Sequence, residues 1–154
     1  MKIRPDFKVM KDPYTGNEYA VIPPIVPDVA VIHAFIGDRT GAVITDSFRN
    51  DRLLAMAAKN TIAVVEKLVE PNEVLAGKYG VYVSAFHIDA VVVAPHGAHP
   101  TACRGAYGLD RIHIAEYMNA AKEEDSLKSY IEKYVLGPVH HERYLSLVGL
   151  GGSK

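Results

Sequence analysis

Three nearly continuous apolar runs constrain this chain more than any other feature: residues 29–35 (VAVIHAF), 61–65 (TIAVV) and 88–94 (IDAVVVA). Each is short, rich in β-branched residues and closed off by a Gly- or Pro-containing loop or a charged residue. A run that stays apolar on successive residues predicts a strand covered on both faces, the pattern of parallel sheets. Residues 50–59 (NDRLLAMAAK) carry strong helix formers between the first two runs and supply a crossover. Strand, helix and strand in this order predict an α/β fold.

The flanking segments fill in that frame. Asp12-Pro13-Tyr14-Thr15-Gly16 is a turn signal, because proline presets φ and glycine is free to take φ > 0. Residues 18–22 follow as a short strand, and residues 1–16 show no period. Residues 42–45 and 81–83 predict minor strands. Asp46 or Ser47 is placed to cap the first helix, with Asn60 as its stop. Residues 70–80 hold Pro71, Gly77 and Gly80 and read as an irregular connection. Beyond residue 104 the pattern turns helical, over 110–121 and 125–136, with Asp125 a candidate cap. Gly137-Pro138 ends the second helix. A last short helix is expected over 139–148, before a frayed tail. The expectation is one domain over 1–154: a small, mostly parallel sheet of three or four strands with helices at the C-terminal end.

Bulk properties narrow the function. A formal net charge of −1 removes the electrostatic case for nucleic acid or a polybasic membrane contact. No apolar run reaches membrane-spanning length and the N-terminus has no signal-type apolar segment, so no membrane partner and a cytoplasmic location are expected. Cys103 is the single cysteine and forms no internal disulfide, in keeping with a reducing compartment.

Ligand-type side chains concentrate where the third run stops, at Pro95-His96-Gly97-Ala98-His99-Pro100, with Cys103 and His113 close behind. A strand ending in a rigid polar loop is where α/β proteins place binding chemistry. The set lacks CxxC and HExxH patterns, so the favoured reading is a loop whose imidazoles hydrogen-bond, with no metal. His33 lies near the end of the first run, followed by Gly37-Asp38-Arg39-Thr40-Gly41. In a parallel sheet this loop and the 95–100 loop would emerge together and share a crevice. Glu66 follows the second run and reads as an activated carboxylate or, more simply, as the start of a solvated segment. Without G-x-S-x-G or a cysteine signature, nucleophilic catalysis by Ser or Cys has little support.

Taken in order, PYTGNEYAVIPPIVPDVAVIHAFIGDRTGAV, AMAAKNTIAVVEKLV and HIDAVVVAPHGAHPTACRGAYGLD resemble the C-terminal half of the alpha subunit of family I CoA-transferases, in the glutaconate CoA-transferase branch. The resemblance implies the α/β fold of that family. It also implies a heteromeric enzyme moving CoA between an acyl-CoA and a carboxylic acid, with coenzyme A as substrate and no permanently bound cofactor. Its nucleophile would be a glutamate in a Glu-Asn-Gly setting on a beta subunit, a motif this chain lacks. The Gly-Gly-Phe segment of an alpha N-terminal half is also missing. The implied partners are an N-terminal alpha piece and a beta subunit. No catalytic residue is expected here, and this chain alone is expected to be inactive. The implied site-lining residues are His33, Asp38, Arg39, Gly41, His96, Gly97 and His99. Relatives that hydrolyse cyclic diketone CoA esters share the fold, so hydrolysis stays an alternative, as does a non-catalytic binding or structural domain.

Overall fold

The computed structural model describes residues 4–75 and 80–151. A small antiparallel hairpin comes first, β1 (Lys8–Lys11) with β2 (Glu18–Val21). Its turn is the expected one. Asp12 Oδ1 accepts from the N–H groups of Tyr14 and Thr15, and Gly16 takes φ 74°. β1 had no signal in the sequence, because all four of its residues are exposed and it buries nothing that would impose a period.

The main sheet has five strands in the order β6-β4-β3-β5-β7. They are β3 (Val29–Gly37), β4 (Val43–Thr45), β5 (Asn60–Val65), β6 (Val81–Val83) and β7 (Ala90–Val93). The three apolar runs form its parallel part, β3-β5-β7, with Val29 opposite Asn60 and Ile62 opposite Ala90. β4 and β6 add antiparallel pairings on the other side, so the sheet is mixed and wider than the sequence suggests. β4 reverses directly off β3 through the Asp38–Ala42 turn, whose length is too short for a parallel crossover.

The core lies on one face. Ala30, Ile32 and Ala34 of β3 and Thr61, Ala63 and Val65 of β5 are buried, and α1 (Asp51–Ala57) contributes Ala55 beside them. The alternate residues behave differently from the two-sided burial that the sequence predicts. Val31 is 63% exposed, and Val29 and Val92 are also open. Around the parallel strands the apolar runs therefore serve a sheet with one closed and one open face.

Local details depart from expectation for local reasons. α1 is preceded by Asn50 without a side-chain cap; Asp46 instead accepts from Phe48 N–H in the turn before it. Asn60 opens β5 rather than ending the helix. Residues 71–75 form a short helix, α2 (Pro71–Leu75), with proline at its first position, where its missing N–H costs nothing. The expected irregular connection over 76–79 lies outside the described residues. The C-terminal helices are α3 (Arg111–Ala120), α4 (Glu124–Ile131) and α5 (His141–Leu147). Asp110 caps α3 through His113 N–H at 2.9 Å. Asp125 sits in the first turn of α4 rather than at its cap, and the helix widens into a π-type turn over Glu132–Leu136 before Gly137.

Candidate functional site

The chemistry gathers around Glu66, at the carboxyl end of β5. His96 N–H donates to Glu66 Oε2 at 2.6 Å, and the Tyr107 hydroxyl donates to Oε1 at 2.6 Å. The Tyr107 oxygen in turn accepts from Ala98 N–H at 2.9 Å. His33 Nε2 lies 2.8 Å from Glu66 Oε1, yet among the described residues it has no hydrogen-bond partner. The two atoms are close without the alignment that a hydrogen bond requires. Cys103 completes the group, with its sulfur within 4.8 Å of both the His33 nitrogen and the Glu66 oxygen.

Several elements build this arrangement. Residue alternation on β3 turns His33 to the open face, the face of Val29 and Val31. The 95–100 loop returns over β5, and His96 takes φ 58°. This left-handed backbone is uncommon for a residue with Cβ, and here the His96 N–H is held on the carboxylate. Gly97 is required by space, since a Cβ there would lie 2.7 Å from Ala94 O and 3.2 Å from Val64 Cγ1. Tyr107 is fixed by reciprocal backbone bonds with Cys103, and its ring lies tilted over His96 at 4.6 Å.

Electrostatics follow from burial and from the carboxylate. Burial, then the bond to Glu66, pushes the Tyr107 phenol well above its ordinary range. Burial, with Glu66 adding to it, pushes the Cys103 thiol up to about 11. Cys103 is therefore a protonated thiol at neutral pH, not a poised nucleophile. Hollows open on both sides of the group. One of about 350 Å³ is lined by His33, Arg49, Gly97 and Ala98, and another of about 430 Å³ by Phe35, Glu66, Lys67 and Arg104.

Three of the residues expected to line a site, His33, His96 and Gly97, come together here. Asp38, Arg39 and Gly41 do not join them. They border a separate hollow of about 360 Å³ with Leu68 and residues 88–91, because β4 folds the 38–41 loop back as a tight turn. Asp38 is 2% exposed, and its Oδ1 accepts from Thr40 N, Thr40 Oγ1, Gly41 N and Ala42 N. Burial pulls the Asp38 carboxyl upward, but these donors outweigh it and hold it below the usual range. Asp38 thus organises the turn, Gly41 takes φ 103° in it, and Arg39 is exposed beside it.

His99 also stands apart. Its side chain is 4% exposed, with Nδ1 2.6 Å from the Tyr144 hydroxyl and Nε2 3.1 Å from Asp110 Oδ2. It ties the loop to the starts of α3 and α5. His113 is likewise engaged, by the Tyr130 hydroxyl at 2.8 Å. The histidines that cluster in sequence therefore divide in space. The residues that sequence reasoning left out of the site are Glu66 and Tyr107. Glu66 carried a signal, as a carboxylate directly after a buried strand, whereas Tyr107 carried none.

The family model described as Coenzyme A transferase matches residues 4–94, more than half of the chain. The chain belongs to the coenzyme A transferase family. Within it, the chain is similar to the A-type subunit of glutaconate CoA-transferase from Acidaminococcus fermentans, at 31% identity over 93% of this chain and 45% of that protein. It is also similar to the A-type subunit of 3-oxoadipate CoA-transferase from Pseudomonas knackmussii, at 28% identity over 97% of this chain and 53% of that one. The crystal structure of glutaconate coenzyme A-transferase from A. fermentans superimposes with a TM-score of 0.81 at 29% identity, over 94% of this chain and 46% of that chain. The chain spans about half the length of these family members, and the expected α/β CoA-transferase fold is the observed one.

Proposed function

We propose that this chain is one half of an A-type subunit in a heteromeric, cytoplasmic CoA-transferase that moves CoA between an acyl-CoA and a carboxylic acid, with the nucleophilic carboxylate on a B-type partner chain. The observation that carries this reading is the family match combined with coverage of about half of the A-type subunits. Coenzyme A enters as substrate.

The chemistry of the chain's own carboxylate supports a nucleophile elsewhere. Both Glu66 oxygens already accept short hydrogen bonds, which spread its charge and fix its direction. Charge drawn into these bonds makes the carboxylate a weaker nucleophile toward a thioester carbonyl. Glu66 is better suited to hold the His96–Ala98 backbone and Tyr107 as one wall of a cleft. His33, His96 and Gly97 form that wall, and Arg39 lines a second surface suited to an anionic group on the substrate.

The open sheet face supports the need for a complementary half. Val29, Val31 and Val92 are exposed on it or at its edge, and burying each would contribute about 1.5–3 kcal/mol. His33 shares this face, so a body covering it would also close the space beside the Glu66 cluster.

The test is co-expression with a B-type chain and an A-type N-terminal half, followed by a CoA-transfer assay with an acyl-CoA donor and an acceptor acid. The expected result is a stable hetero-oligomer that places CoA on the acceptor. Thioester loss independent of acceptor would replace transfer with hydrolysis, and failure to associate with any such chain would overturn the reading.

A further inference from the structure

We infer that His33, Glu66 and Cys103 form a binding site for a zinc-class divalent cation, with the fourth position open to water. The inference rests on the donor geometry of this chain and is independent of the proposed transfer reaction.

Three donor atoms converge from separate parts of the fold. His33 comes from β3, Glu66 from the end of β5 and Cys103 from the turn before α3. Their ligand atoms all lie within 4.8 Å of one another. Imidazole nitrogen, carboxylate oxygen and sulfur are the donor types that zinc takes, and three protein ligands with an open fourth position is the form of its reactive sites.

The second observation is the unsatisfied His33 Nε2. It is buried and has no hydrogen-bond partner among the described residues, although a carboxylate oxygen stands 2.8 Å away. A buried polar atom left in this condition calls for an explanation. Two donors aimed at a common third atom approach each other without pointing at each other. Ligands held about 2.0–2.1 Å from a tetrahedral ion stand roughly 3.3 Å apart, so the pair opens by roughly half an ångström to admit one.

The surroundings match. Tyr107 and His96 N–H hold the Glu66 carboxylate by one lone pair on each oxygen, leaving Oε1 capacity for a metal and orienting it from behind. A thiolate, a carboxylate and a neutral imidazole together balance a divalent charge, so the buried site is neutral overall. On binding, the Cys103 S–H bond breaks, the metal–sulfur bond forms and one proton leaves to solvent. A cysteine thiol carries its proton at neutral pH, so this proton is present to be released. Of the four residues that cluster in sequence, His96, His99, Cys103 and His113, only Cys103 offers a ligand atom to this site. His99 and His113 are turned toward tyrosines.

The test titrates the full chain with Co²⁺ as a spectroscopic probe and with Zn²⁺ as competitor, while proton release is followed by a pH indicator. The expected result is a saturating 1:1 tetrahedral spectrum with a thiolate-to-cobalt absorption, displaced by zinc, and one proton released per ion. Cys103→Ser should abolish the thiolate band, and His33→Ala and Glu66→Gln should each weaken binding at least about tenfold. The wild-type titration stands even if a variant fails to fold. Absence of a tetrahedral spectrum in the wild type would overturn the inference, as would a band unchanged in both His33→Ala and Glu66→Gln, which reports the thiol alone.

Discussion

The Tyr107 hydroxyl donates to Glu66 Oε1 at 2.6 Å across 41 positions of sequence, and the same hydroxyl accepts from Ala98 N–H. One phenol thus fastens the 95–100 loop to the end of β5. Tyr107→Phe keeps the ring and removes both bonds, leaving a half-buried carboxylate and an amide short of a partner. The expected cost is about 1–3 kcal/mol, read from urea unfolding. An unfolding midpoint equal to wild type would show that the loop is held by other contacts.

Gly97 is limited by space and Gly108 is not. A Cβ at Gly97 would press on Ala94 O at 2.7 Å, whereas none of the described residues lies within 4 Å of one at Gly108. Gly97→Ala should destabilise by about 1–3 kcal/mol, with Gly108→Ala within roughly 0.5 kcal/mol of wild type. Thermal melts of the two variants side by side decide this, and equal melting temperatures would refute the crowding at Gly97.

His99 should behave as a structural residue. His99→Ala removes the partner of the Tyr144 hydroxyl, whose phenol is pushed up to about 12 by burial. A stability loss of about 1–3 kcal/mol is expected, together with faster amide exchange over α5. If His99→Ala instead kept full stability and altered only the kinetics of an assembled enzyme, His99 would belong to the substrate wall.

Acid should act on two groups in sequence. Burial, then the neighbouring His99, holds His113 below its ordinary value, so the unfolded chain binds the proton more readily. This contribution is complete above about pH 6.5 and is lost as pH falls toward the lower folded value. Asp38 is also lower in the folded state, so its contribution is complete above about pH 3.9 and disappears only as pH falls further. Urea midpoints measured against pH should decline in both windows. His113→Gln should flatten the upper one and Asp38→Asn the lower one. An unchanged slope in either variant would reassign that window.

Much of the fold was legible because burial writes itself into a strand. The three apolar runs became β3, β5 and β7, and the positions of α3 to α5 followed from helical patterning and from Gly137-Pro138. The lapses fall where burial is absent or a competing local bond prevails. β1 is exposed, Asp46 bonds to its own turn instead of capping α1, and Asn60 is taken into β5. Of the residues expected to line a site, the structure brings His33, His96 and Gly97 close to Glu66. It places Asp38 and Gly41 in a separate turn, and His99 against Tyr144 and Asp110.

By itself the sequence determined the α/β class, the family resemblance and the absence of a Glu-Asn-Gly nucleophile motif, because each is a property of residue type and short-range spacing. Only the tertiary structure decided which polar groups meet. His33, Glu66 and the Cys103–Tyr107 turn are separated by dozens of positions, and strand order brings them to one point. It also decided that one sheet face stays open, since an apolar run specifies that a strand favours cover without specifying which body provides it. Long-range contact depends on register and crossover, and neither is written in any one segment.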